Sequence, residues 1–132
     1  MTRSGNINIY LFEWFHFNFF SMGYNTELLE NLTNCAIACE NCLDACLDED
    51  DVKKMVECIR TDRDAAKLCF TTASVLASNS PQADALVRQC EEVVHACAVE
   101  CEKHEMDHCQ ECAQACRNCE EACKNYLEVA HH

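Results

Sequence analysis

The sequence predicts an all-α protein, an antiparallel up-down-up-down four-helix bundle with a cysteine-lined core. Three observations predict it. Cysteines recur at steps of three and four, at Cys35, Cys39, Cys42 and Cys46 and again at Cys109, Cys112, Cys116, Cys119 and Cys123. With 3.6 residues per turn, such steps keep side chains on one stripe of a helix. Only two glycines and one proline occur, too little turn chemistry for a sheet-rich fold. Polar breaks near 48–51, 79–81 and 104–107 then divide the chain from about residue 26 into four helix-length stretches with short connections.

The first helix is expected over about 26–48, with Asn25 or Thr26 as N-cap and Leu28, Leu29, Leu32 and the first cysteine run inside. The cluster Asp48, Glu49, Asp50 and Asp51 marks the turn and places negative charge where the next helix dipole favours it. A second helix over about 51–78 holds Met55, Cys58, Ala65, Cys69, Thr72 and Leu76. At Asn79-Ser80-Pro81, Ser80 is expected to cap and Pro81 to take the first helical position. The third helix, about 81–103, carries Leu86, Cys90, Val94, Cys97 and Cys101. Asp107 with Gln110 resembles a capping box for a fourth helix over about 107–129. This topology puts the 48–51 and 104–107 turns at one end and the 79–81 turn with the C-terminus at the other.

Residues 1–24 read as a separate N-terminal extension, with 25–129 as the bundle and 130–132 as a tail. Phe12, Trp14, Phe15, Phe17, Phe19 and Phe20 lie in the extension and no cysteine does. Glu13 and His16 interrupt its apolar run and no small-residue cleavage site follows, a poor match to a signal peptide. It is also too short and polar to span a bilayer. An aromatic anchor, an unusual extension, or sequence upstream of a start at Met22 are the three readings of it, the last two preferred.

At 132 residues the chain holds one core. A net charge of −13 excludes nucleic acid as a partner, because phosphate binding needs a basic face. Most acidic residues read as a solvated outer face. Fourteen cysteines in a chain this size ordinarily signal a disulfide scaffold. Here the spacing argues otherwise: two cysteines four apart on one helix project in near-parallel directions, a poor match to a disulfide dihedral of about 90°. Reduced thiols in a cytoplasmic compartment are expected instead.

Cysteine is smaller than leucine, and each large-to-small replacement that cannot collapse costs about 2–5 kcal/mol. A core seam built of thiols is therefore underfilled unless something occupies its middle. Metal ions bound to thiolates supply both volume and bonding. The CxxC pairs Cys39/Cys42, Cys109/Cys112 and Cys116/Cys119 lie inside continuous helices without the glycines of a zinc knuckle. Iron–sulfur spacing and a haem-attachment motif are absent. Cu(I) is soft, prefers thiolate and thioether, and accepts two or three ligands, which a ladder of alternating spacing provides. Ligands in such number read as storage of multiple Cu(I) ions per chain. The expected ligands are Cys35, Cys39, Cys42, Cys46, Cys58, Cys69, Cys90, Cys97, Cys101, Cys109, Cys112, Cys116, Cys119 and Cys123.

The run from Cys35 to Cys46, and above all the stretch Cys97 to Cys123 with its turn His104-Glu105-Met106-Asp107-His108, resembles the cysteine-rich four-helix-bundle copper storage proteins of bacteria. The resemblance covers about residues 26–128. It implies Cu(I) lining the inside of the bundle, assembly into a homotetramer and residence in the cytosol. The sequence departs from the pattern in its aromatic N-terminus and in a second helix offering only Cys58 and Cys69.

His104, His108 and Met106, with Met55 a weaker candidate, should gather at the end formed by the 48–51 and 104–107 turns. Imidazole and thioether bind Cu(I) more weakly than thiolate, which suits a mouth that hands ions inward. The plainer alternative is that His104 and His108 are solvated turn residues. His95, His131 and His132 read as surface or tail. Competing functions are a zinc or general soft-metal buffer and, from another class, a thiol redox enzyme centred on Cys109 and Cys112, for which one site would leave most thiols unexplained. No nucleophile–base pair, phosphate loop or organic-cofactor motif occurs, so no enzyme activity and no catalytic residue is expected. Neither nucleic acid nor a membrane is an expected partner.

Overall fold

In a computed structural model of the chain, residues 23–130 are described. They form helices α1 (Gly23–Leu47), α2 (Val56–Ala77), α3 (Ala83–Glu102) and α4 (Asp107–Ala130), with a short 3-10 turn, Val52–Met55, ahead of α2. The aromatic segment, Met22, His131 and His132 lie outside the described residues.

Each helix buries one stripe at alternating steps of four and three. On α1 the stripe is Leu28, Leu32, Cys35, Cys39, Cys42 and Cys46; on α2 it is Cys58, Asp62, Ala65, Cys69, Thr72 and Leu76. On α3 it is Ala83, Val87, Cys90, Val94, Cys97 and Cys101, and on α4 it is Cys109, Cys112, Cys116, Cys119, Cys123 and Tyr126. This spacing keeps a narrow seam facing inward along the whole helix. Sequential helices pack side by side and α1 also packs on α4, while the backbones of the diagonal pairs α1/α3 and α2/α4 stay apart and meet only through side chains in the core. The chain therefore folds as the expected up-down-up-down bundle.

The connections differ from expectation in detail. Asn25 and Thr26 lie within α1, which already begins at Gly23. The end of α2 is a Schellman turn: Asn79 takes a positive φ of 55°, its N–H bonds to the Leu76 carbonyl, and the Ser80 N–H reaches back to Val75. Asn tolerates this left-handed position better than most residues. Ser80 does receive the Gln82 N–H on its hydroxyl at 3.1 Å, but Pro81 sits in the turn and α3 opens two residues later, at Ala83. Asp107 and Gln110 do not close a capping box; the Gln110 side chain instead donates to the His104 carbonyl at 2.6 Å and ties down the α3–α4 turn. Leu86 is half-buried and Val87, one residue on, takes the seam position.

This topology gives the bundle two unlike ends. Leu28, Leu32, Leu76, Val87 and Tyr126 fill the end that holds the α2–α3 turn. Full burial of an aliphatic side chain of this size stabilises the fold by about 1.5–3 kcal/mol. At the opposite end, the α1–α2 and α3–α4 turns bring Glu49, His104 and His108 to the surface of the thiol core. On the outside Arg117 bridges Glu102 and Glu120 at 2.8 and 2.9 Å; exposed pairs of this kind add little stability. Among the described residues, no helix is long and apolar enough to cross a membrane.

Candidate metal centre

All fourteen cysteines are free and buried, none more than 1% exposed. Because each lies on an inward stripe, their sulfurs form one column along the bundle axis. Neighbouring Sγ atoms stand 3.6–3.9 Å apart, both along a helix, as in Cys42–Cys46 and Cys97–Cys101, and between helices, as in Cys35–Cys116, Cys58–Cys101 and Cys69–Cys90. Cys39 joins α1 to both Cys112 and Cys116 on α4, each at 3.7 Å.

Within the column the donors fall into overlapping groups whose ligand atoms lie within 4.8 Å of one another. Cys42, Cys46, Cys58 and Cys109 form one group at the histidine end; Cys39, Cys97, Cys112 and Cys116 form another at mid-bundle; Cys35, Cys69 and Cys119 form a third further in. Since the groups share or adjoin members, a thiolate in one can bridge to a metal in the next.

His108 is built into the first group. Its Nδ1 lies 3.4 Å from Cys42 Sγ and 3.5 Å from Cys109 Sγ, while Nε2 meets Glu49 Oε1 at 2.8 Å. Burial alone would lower the imidazole pKa, but the contacts with Cys42 and Glu49 outweigh it and raise the pKa above its ordinary value. Hydrogen bonding by Cys101, opposed by Cys112 and helped by Cys58 and His108, pulls the Cys42 thiol down to about 6. Cys46 and Cys109, in the same group, are pushed up by burial and by the charge that Cys42 and Cys58 can carry. The end of the column thus holds one thiol inclined to ionise beside a partly exposed imidazole.

His104 is placed differently. Its Nε2 meets Glu100 at 2.9 Å and no thiol bond involves it among the described residues. Met106 is half-buried against the core and Met55 is fully buried in it. His95 is half-exposed and pairs with Glu120.

One residue of the column escapes the sequence argument, which put the carboxylates on the outer face. Asp62 is fully buried on the seam of α2. Its Oδ1 accepts thiol hydrogen bonds from Cys97 at 3.2 Å, Cys112 at 3.3 Å and Cys101 at 3.5 Å, and Oδ2 faces Cys58 at 3.8 Å. Burial first, then the charge of Cys112, Cys97 and Cys42, pushes its carboxyl far above the usual range. The signal for it was register: 62 falls on the stripe that runs through 58, 65 and 69.

Known proteins share this arrangement. The family model for copper storage protein matches residues 22–128. An uncharacterised cysteine-rich protein of Bacillus subtilis (strain 168) is 35% identical over 92 residues, covering 70% of this chain and 85% of the relative. A cytosolic copper storage protein from Streptomyces lividans, solved with five coppers, is 39% identical with a TM-score of 0.76, covering 80% of this chain and 93% of that one. The same organism's copper storage protein loaded with 10 copper equivalents superposes with a TM-score of 0.78 at 39% identity, covering 80% and 85%.

Proposed function

The chain belongs to the copper storage protein family, and from that premise we propose that it sequesters multiple Cu(I) ions on the fourteen thiols of its core. The observation that carries the proposal is the column of buried sulfurs, in which neighbouring pairs stand 3.6–3.9 Å apart and overlapping donor groups follow one another along the bundle. Two or three thiolates suffice for a Cu(I) ion, and bridging thiolates let neighbouring ions share ligands. Each ion displaces the protons of the thiols it takes, and where bridging brings the count to one Cu(I) per thiolate the core carries no net charge. The Streptomyces lividans relatives, solved with copper bound, support multiple occupancy.

Cys35, Cys39, Cys42, Cys46, Cys58, Cys69, Cys90, Cys97, Cys101, Cys109, Cys112, Cys116, Cys119 and Cys123 are the proposed ligands. His108 is the proposed point of transfer from solvent, its Nδ1 turned to the thiols by the hydrogen bond between Nε2 and Glu49. His104 and Met106, beside it at the same end, are proposed to receive ions before His108. The metal-holding unit is residues 25–129, with residues 1–24 an extension outside it and 130–132 a tail.

The proposed setting is the cytosol, as for the relative described as cytosolic, with assembly into a homotetramer. Exposed Ile37, Leu47, Phe70, Val99 and Val129 offer apolar surface for such an assembly. Sequestration rather than catalysis fits the thiols: a redox enzyme needs a nucleophilic thiol in reach of its substrate, and Cys109 and Cys112 are both buried.

Native mass spectrometry of the reduced protein loaded anaerobically with Cu(I) tests the proposal. A series of species carrying many ions per chain is expected. A single species with one or two ions would overturn it.

A further inference from the structure

Among the described residues, Asp62 is the one fully buried carboxylate, and it lies among the thiols of the column. Oxygen is a poor donor for a soft monovalent ion but an ordinary one for a borderline divalent ion. Asp62 Oδ1, Cys97 Sγ, Cys101 Sγ and Cys112 Sγ all lie within 4.8 Å of one another and are fully buried. The oxygen stands 3.2, 3.5 and 3.3 Å from the sulfurs of Cys97, Cys101 and Cys112, and the Cys97 and Cys101 sulfurs are 3.9 Å apart. A tetrahedron around zinc, with bonds of about 2.0 Å to oxygen and about 2.3 Å to sulfur, has edges of about 3.5 Å between oxygen and sulfur and about 3.8 Å between sulfurs. Four of its six edges are thus present before any ion arrives.

We propose that Asp62, Cys97, Cys101 and Cys112 form a mixed oxygen–sulfur site for one divalent cation of the zinc class within the thiol core. The proposal rests on the core thiols being reduced and open to metal, as storage also requires. On binding, the ion replaces the three thiol protons and any proton on the carboxyl, which leave to solvent, and no electron is transferred. The donors come from α2, α3 and α4, so the ion pins three helices together at the waist of the bundle. Thiolates select Cu(I) over zinc, so copper arriving in excess displaces the ion. The site therefore serves the protein before copper fills it.

The test is an anaerobic titration of the reduced full-length chain with Co2+, a spectroscopic stand-in for zinc, on wild type, Asp62→Asn and Asp62→Cys. In wild type the first equivalent should give the visible bands of tetrahedral Co2+ with a three-thiolate charge-transfer intensity. Asp62→Asn should weaken that first equivalent by roughly tenfold or more. Asp62→Cys should keep it and raise the intensity to that of four thiolates, a readout that remains if the Asn variant folds poorly. A four-thiolate or octahedral first equivalent in wild type would overturn the proposal, as would variants that titrate like wild type. Cu(I) titrations of the same samples separate the two readings. Uptake of many Cu(I) by a wild type lacking the three-thiolate signature sinks the divalent site alone, whereas loss of both sinks the storage function with it.

Discussion

The His108 Nδ1 atom stands 3.4 Å from Cys42 Sγ. A half-buried imidazole is thereby wired to the first sulfur group of a column that is otherwise closed to water. On its other side Glu49 holds Nε2 at 2.8 Å, which keeps Nδ1 facing the thiols. Partners that orient a metal-binding histidine in this way typically account for about 10–100-fold in affinity or activity.

His108→Ala is therefore expected to slow Cu(I) uptake from a chelated donor by roughly tenfold or more while leaving the final capacity close to that of wild type. Glu49→Gln should fall between the two. Stopped-flow loading followed by equilibrium capacity measures both quantities. Equal rates in all three proteins would remove His108 from the path.

Asp62 makes the stability of the metal-free bundle depend on pH with an unusual sign. Its folded pKa is raised above the unfolded value by burial and neighbouring thiols, so the folded state holds the proton more tightly than the unfolded chain. This contribution is fully present below the unfolded pKa and is lost as pH rises towards the folded one. Between pH 5 and 7 this one group therefore makes stability fall as pH rises. Urea unfolding of apo protein at both pH values should show wild type losing stability relative to Asp62→Asn. Parallel behaviour of the two would contradict the assignment.

The far end of the bundle is built for stability rather than for metal. Leu32 is fully buried there, and Leu32→Ala should cost about 2–5 kcal/mol. The Tyr126 hydroxyl donates to Asp84 at 2.7 Å, and Tyr126→Phe should cost about 1 kcal/mol. Cu(I) capacity should survive both changes wherever the variants stay folded, as chelator titration would show. Lost capacity in a folded variant would mean that metal reaches further than the thiols.

Metal should tighten the fold. A site saturated at 100 times its dissociation constant adds about 2.7 kcal/mol, and the sites are many. Thermal unfolding of apo and Cu(I)-loaded protein should differ by tens of degrees, with the loaded form higher. Coincident transitions would show that the ions are bound outside the folded core.

The four helices and the inward stripes of α1 and α4 were readable because cysteine at steps of three and four marks those stripes directly. Where other residues share the stripe the reading slips. Leu86 and Val87 both sit one turn from Cys90, and only the alternation through Val94 selects Val87. Asp62 was lost for the opposite reason: a carboxylate in an acidic chain reads as surface, although the 58, 62, 65, 69 register places it inside. The caps were the least legible part. In a capping box the Gln110 amide oxygen would accept the Asp107 N–H; the backbone path of the turn instead brings its amide N–H to the His104 carbonyl.

The measurement that bears most directly on the account is an anaerobic Cu(I) titration of the fully reduced protein against a chromogenic chelator, with zinc in a parallel run. Tight uptake of many Cu(I) per chain, with helicity retained and zinc held less tightly, is the predicted result. Saturation at one or two ions, or zinc binding more tightly than copper, would contradict it.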